Sequence, residues 1–214
     1  MTRPAAGGGR WVDVAPERLE RWLAGFRDRH GDFAVTATKG AVVLRAFDDA
    51  VAELHAPPGA VDTLDVATFV EAALRPRRTG LLLARRAAVA VGIAYGDELE
   101  VHKVDTSYVQ SRTAAGGWSQ QRFARRRENQ AKAAAEDAVD IALRVLVPRL
   151  AELSCLITGG DRRAVDAILA DRRLDRLVAK RSDRFLDVAE PRLATLTQAA
   201  RSARAVRIRI IDPD

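Results

Sequence analysis

From Gln120 to Leu146 the chain runs without a glycine or a proline, and no other stretch constrains the fold as much. Ala131, Ala134, Ala135, Ala138, Ala142, Val145 and Leu146 fall on one stripe at helical spacing. A breaker-free run with one apolar stripe predicts a single long helix with one face in a core. Pro148 ends or kinks it. The first two turns differ. Their only apolar residues are Phe123 and Ala124, set among Arg122, Arg125, Arg126 and Arg127. The helix start is therefore expected to project while the later turns pack on a sheet.

The rest of the chain reads as strands alternating with helices, which predicts an α/β layer structure. Residues 1–10 are Gly- and Ala-rich and read as a disordered N-terminus, leaving 11–214 as one domain. Pro16 opens a helix whose apolar face is Leu19, Trp22, Leu23 and Phe26, and Gly31 stops it. Phe33 to Thr38 and Ala41 to Phe47 form a hairpin about Lys39-Gly40. Pro57-Pro58-Gly59 marks a loop, and a short helix from Val66 to Leu74 follows Asp65 as its cap. Leu81 to Ala84 and Ala87 to Ala94 are strand candidates. A longer strand, Leu99 to Gln110, is expected to have a buried face early and a solvated one late. Leu153 to Thr158 reads as a buried strand, Arg163 to Ala170 and Pro191 to Ala203 as helices, and Val206 to Ile211 as an alternating strand. The fold expected is a mixed β-sheet flanked by helices, with a glycine-rich loop projecting before the long helix.

Charge is unevenly placed. The net charge is +6, yet 12 of the 35 basic residues and only 5 of the 29 acidic ones lie between Arg75 and Lys132. That segment carries +7 and the remainder −1. A basic excess gathered around one glycine loop points to a phosphate-rich partner. The single cysteine, Cys155, sits in an apolar run and reads as a buried, inert thiol. His30, His55 and His102 have no ligand spacing, so no zinc site and no cofactor is expected. Gly159-Gly160-Asp161 lacks the lysine and Ser/Thr of a nucleotide-binding loop and reads as a tight strand-to-helix turn. No carboxylate cluster is available for metal-assisted phosphodiester cleavage. The N-terminus has no signal-peptide core, and no apolar run reaches the length of a membrane span. A cytoplasmic protein without a membrane or DNA partner is expected.

Gly116-Gly117-Trp118-Ser119-Gln120-Gln121 stands directly before the basic helix start. A glycine pair makes a loop tip with almost no side-chain bulk, able to enter a narrow channel. Glutamine delivers a neutral donor and acceptor at that tip. The arginines behind it can grip a polyanion. Ser119 caps the helix, with no histidine nearby in sequence to activate it as a nucleophile. Trp118 either stacks on a base or ribose or folds back on Phe123.

These residues resemble the catalytic loop of the eukaryotic and archaeal class-1 peptide release factors and their Pelota relatives. In those proteins Gly-Gly-Gln and Ser precede a helix that begins Arg-Phe-Ala-Arg. Gly116-Gly117 and Arg122-Phe123-Ala124-Arg125 keep that frame, while Trp118 takes the ungapped place of the glutamine. A closer resemblance is to the Vms-like release factor family, whose loop reads Gly-Gly-Ser-Gln. Gly116, Gly117, Ser119 and Gln120 match it with Trp118 as an insertion. The chain looks like a bacterial, actinobacterial-type, stand-alone branch, its fold similar to the release-factor catalytic middle domain.

That resemblance implies a peptidyl-tRNA hydrolase of ribosome quality control, releasing nascent peptide from stalled large ribosomal subunits. The implied partners are the large subunit, its ribosomal RNA and peptidyl-tRNA. The implied catalytic residues are Gly116, Gly117, Ser119 and Gln120, with Gln121 as the alternative amide. Trp118, Arg122, Arg125, Arg126 and Arg127 are the implied RNA contacts. No sequence is left over for stop-codon reading, so codon-directed termination is not expected. The competing reading is a non-catalytic factor whose loop plugs the peptidyl-transferase region.

Overall fold

The computed structural model describes residues 2–38, 40–60, 62–85, 88–106 and 119–213, and for residues 2, 106 and 119–131 it describes the backbone alone. In chain order the first elements are β1 (Thr2–Pro4), β2 (Arg10–Val14), α1 (Leu19–His30), β3 (Phe33–Thr38), β4 (Ala41–Ala46), β5 (Val51–His55) and α2 (Val66–Leu74). Next come β6 (Arg78–Arg85), β7 (Ala88–Tyr95), β8 (Glu98–Thr106), α3 (Ser119–Val145) and β9 (Cys155–Gly160). The last are α4 (Arg162–Leu169), α5 (Asp175–Val178), β10 (Arg181–Leu186), α6 (Leu193–Arg204) and β11 (Val206–Ile211).

The α/β fold with mixed sheet and flanking helices is built from two sheets, which cluster into two compact units. One unit comprises Met1–Arg77 with Arg201–Asp214, and the other Arg78–Ala200. The reason lies in the cores: each sheet closes its own apolar cluster with its own helices.

In the first unit the strand order is β1-β2-β11-β5-β4-β3, antiparallel throughout. β11 alternates as its sequence demands, with Val206, Ile208 and Ile210 buried. They pack with Leu44, Leu54, Leu19 and Phe26 of α1, and Phe69 of α2. Asp65 caps α2 by accepting the Thr68 N–H at 2.9 Å. Gly31 ends α1 at φ +77°, a conformation that favours glycine.

Thr2–Pro4 pairs with β2 in the register Thr2↔Val12 and Pro4↔Arg10. The glycines that follow make a turn. Gly7, Gly8 and Gly9 all have positive φ, and the Arg209 guanidinium donates to the Gly7 and Gly8 carbonyls at 2.9 and 3.2 Å.

In the second unit the order is β10-β9-β6-β7-β8. β10, β9 and β6 run parallel, while β6–β7 and β7–β8 are antiparallel, so this sheet is mixed. β6 and β7 are buried along nearly their whole length, the mark of strands covered on both faces. On one face Leu82, Val89, Val91 and Ile93 pack with Ala138, Ala142 and Leu146 of α3 and Val165 and Ile168 of α4. On β7, a Cβ placed at Gly92 would lie 3.0 Å from Leu196 Cδ2 of α6. β8 departs from its expected pattern. It is an edge strand, and Val101, expected to be buried, is 39% exposed.

Gly159-Gly160-Asp161 is a tight turn as its sequence suggests. A Cβ at Gly160 would sit 2.3 Å from the Ala84 carbonyl oxygen, and its φ is +99°. The Asp161 N–H donates to that same carbonyl at 2.7 Å. The Asp161 carboxylate then caps α4 by accepting from the Arg163 and Ala164 N–H groups. Cys155 is buried, with Sγ 4.0 Å from Thr79 Oγ1.

Candidate functional site

The glycine loop anticipated from sequence, with Gly116, Gly117 and Trp118, lies outside the described residues. Its two flanks are described. It joins Thr106, the end of edge strand β8, to Ser119, the start of α3. Ser119, Gln120, Gln121, Arg122, Arg125, Arg126 and Arg127 all fall in the first turns of α3, where the backbone is helical. Arg122 and Arg126, four residues apart, therefore share one face.

The later turns of α3 anchor it in the core. Lys132 and Ala133 are exposed, Ala134 and Ala135 half-buried, and Ala138 is the first buried position among the described side chains of α3. From there Val139, Ile141, Ala142 and Leu146 fill the core. At 1.5 Å per residue Ser119 lies roughly 28 Å along the helix axis from Ala138. The Gln120–Arg127 segment begins the same helix whose later turns fill this core.

The base of the hairpin that leads to the loop is fixed by ions. Arg78 at the start of β6 bonds Glu100 near the start of β8, with Nε–Oε2 at 3.0 Å and Nη2–Oε1 at 3.1 Å. Arg149, just beyond α3, places Nη2 2.9 Å from both Glu100 and Glu152. Arg78 Nε also lies 3.3 Å from Glu152, closing a ring of two cations and two anions. The Arg78 guanidinium holds the Glu100 carboxyl below the usual carboxylate range, and Arg149 does so for Glu152. Reciprocally, Glu100 raises Arg78 and Glu152 raises Arg149. Arg78 further lies over the Tyr95 ring at 5.0 Å. The ring ties β6, β8 and the far end of α3, so both flanks of the loop share one support. Nothing in residue spacing announces it, because its members are scattered from position 78 to position 152.

Among the described residues no group of three or more His, Cys, Asp or Glu side chains is placed to hold a metal ion. Among the same residues no helix is long and apolar enough to cross a membrane.

The arrangement defines a class: an α/β unit that carries a basic helix start on a long helix whose later turns lie in the core, behind a connection from an edge strand. Comparison with known proteins narrows it. Residues 77–209 match the family described as Actinobacteria/chloroflexi VLRF1 release factor. The match covers more than half of the chain, and the chain belongs to this family. It includes the Gly116–Gln121 segment, all of α3 and the ion ring.

No curated protein matches the sequence. Among solved structures, a crystal structure of an archaeal translation termination factor, aRF1, aligns at 18% identity and a TM-score of 0.43, over 91% of this chain and 66% of that one. A structure described as an archaeal protein aligns at 19% identity and a TM-score of 0.40, over 86% of this chain and 53% of that one. The chain thus spans about two thirds of the first and about half of the second.

Proposed function

We propose that this protein is a peptidyl-tRNA hydrolase that releases nascent peptide from stalled large ribosomal subunits. One observation carries the reading. Within the family-matched span, Gly116-Gly117-Trp118-Ser119-Gln120 runs directly into a basic helix that begins at Ser119 and whose later turns, from Ala138 on, fill the core. That order delivers a small tip and an amide ahead of a phosphate grip.

The ester joining peptide to the terminal ribose needs a placed water, stabilisation of the developing oxyanion and a proton for the leaving hydroxyl. Gln120 orients the water through its side-chain amide, with Gln121 as the alternative register. Gly116 and Gly117 let the tip approach the ester. Backbone N–H groups at the start of α3 offer positive potential to the oxyanion. Water attacks the carbonyl carbon, the acyl–oxygen bond to ribose breaks, and the ribose oxygen takes up a proton. Glutamine and backbone amides do not titrate near neutrality, so the substrate's adjacent ribose hydroxyl relays that proton. Ser119 opens the helix and does not act as a nucleophile. Arg122, Arg125, Arg126 and Arg127 hold ribosomal RNA, and Trp118 stacks on a base or ribose.

Trp118 favours a second reading, since it interrupts the loop pattern with the bulkiest side chain available. On that reading the loop occupies the peptidyl-transferase region without cleaving. Peptide release from isolated large subunits carrying peptidyl-tRNA, comparing the wild type with Gln120→Ala, separates the two.

A further inference from the structure

A cleft of about 280 Å³ opens in the second unit, lined by Thr158, Arg162, Arg181, Ser182, Asp183 and Phe185. It arises where the parallel pairing of β9 and β10 breaks. The register jumps from Arg181↔Leu156 to Phe185↔Thr158, so β10 advances four residues while β9 advances two. Ser182, Asp183 and Arg184 therefore stand opposite the single residue Ile157, a bulge of two extra residues. Ser182 Oγ accepts the Arg184 N–H at 3.1 Å, which pins the bulge.

The bulge leaves a polar atom stranded. Thr158 is 1% exposed, yet its Oγ1 has no hydrogen-bond partner. A buried hydroxyl without a partner costs about 1–3 kcal/mol and calls for an explanation such as a missing ligand. Two guanidinium groups converge on the same space. The Arg162 guanidinium lies over the Phe185 ring at 4.2 Å, which fixes its plane while leaving its N–H edge to donate. Arg181 gives Nη1 to Asp166 at 2.8 Å, leaving the remaining donors of its fork. Ser182 adds a hydroxyl.

Donor hydroxyls and two oriented guanidinium groups make an oxyanion site. Its charge selects among oxyanions. Two arginines against Asp183 give the lining itself +1, and Asp166, paired with Arg181, lowers the local sum to zero, so a singly charged oxyanion suits the cleft better than a doubly charged one. A phosphodiester carries one negative charge, whereas free phosphate near neutrality carries between one and two. The backbone amides beside the cleft do not act as a phosphate loop. Those of Arg163 and Ala164 serve Asp161, and that of Asp161 serves Ala84. Recognition therefore rests on side chains.

We infer that this cleft holds a single phosphodiester of an RNA strand, as a contact separate from the basic start of α3. The choice of RNA as the source rests on the ribosomal reading above. The chemistry of the cleft does not. Thr158 Oγ1 donates to one non-bridging oxygen, and Arg162 and Arg181 bracket the other. The site would give the protein a second grip on RNA, on the β9–β10 edge of the sheet rather than the β8 edge.

The test titrates the intact protein with a single-stranded hexaribonucleotide and, separately, with inorganic phosphate, following backbone amide NMR shifts and affinity. The expected result is that the oligonucleotide shifts the amides of Arg162, Ser182 and Asp183. Thr158→Val, which loses one hydrogen bond to a charged oxygen, and Arg162→Gln each weaken it about tenfold. Thr158→Val keeps or raises the melting temperature, because it removes an unpaired buried hydroxyl. That separates a lost contact from a lost fold. Shifts confined to the start of α3 would overturn the inference, as would unchanged affinity in both variants. Inorganic phosphate binding the cleft as tightly as the oligonucleotide would overturn the assignment to a phosphodiester. If peptide release fails but the oligonucleotide still engages the cleft, the hydrolase reading falls and this site stands.

Discussion

Arg78 and Glu100 meet in a two-pronged ion pair, Nε to Oε2 at 3.0 Å and Nη2 to Oε1 at 3.1 Å, that joins the start of β6 to the start of β8. Arg149 and Glu152 complete the ring from the far end of α3. Glu100→Gln keeps the shape and removes the charge that both arginines share. The expected outcome is a lower melting temperature and a slower release of peptide from large subunits, both softened as salt rises. A variant with unchanged stability and unchanged release would show that the ring does not support the loop.

The same ring sets a pH dependence. Glu100 and Glu152 are held below the usual carboxylate range in the folded protein, chiefly by hydrogen bonds from Arg78 and Arg149. Asp48, Asp65 and Asp171 shift in the same direction through His30, Thr68 and Arg173. The unfolded chain therefore binds more protons as the pH falls through this range. The stabilisation is complete above the ordinary carboxylate values and is lost as pH drops through the lowered ones. A melting-temperature series from neutral to about pH 3 should fall steeply at its acid end, less so for Glu100→Gln. A flat series would contradict these shifts.

The turn that launches α4 offers a sharper test. At Gly160 any Cβ meets the Ala84 carbonyl oxygen at 2.3 Å, and the backbone is already at φ +99°. Gly160→Ala should cost about 3–5 kcal/mol, among the larger single-residue effects. Asp161→Ala removes only a helix cap and should cost about 1 kcal/mol. Denaturant unfolding of the two variants orders them, and equal costs would refute the steric account.

Much of the second unit could be read in the sequence because its signals are local. The breaker-free run from Gln120, the apolar run after Leu153 and the glycines at 159 and 160 each fix a neighbouring stretch of backbone. β10 was not legible. Arg181-Ser182-Asp183-Arg184 looks like a solvated turn, and only its parallel pairing with β9 makes it a strand. The division into two units was hidden for a similar reason. It depends on β11, at the end of the chain, inserting between β2 and β5. That pairing spans nearly the whole sequence, and no short-range pattern encodes it. Of the candidate site, residue types and order were legible, and the support beneath them was not. The ion ring and the Thr158 cleft join residues far apart in sequence.

Leu146 shows how far the core footing of α3 matters. It is fully buried against the five-stranded sheet, in the same cluster as Leu82 and Leu156. Leu146→Ala should cost about 2–5 kcal/mol in unfolding experiments. Peptide release by the surviving folded fraction should fall further than stability alone accounts for, because the footing of the helix is loosened. Release per folded molecule equal to the wild type would show that the helix footing is mechanically irrelevant.

The most direct measurement is release of labelled peptide from isolated large subunits carrying peptidyl-tRNA, with wild type, Gln120→Ala and Gln121→Ala side by side. The account predicts rapid release by the wild type, lost in Gln120→Ala with particle binding retained. Loss only in Gln121→Ala would move the catalytic amide by one residue. Wild-type protein that binds the particles and releases nothing would contradict the hydrolase and leave the plug as the function of the loop.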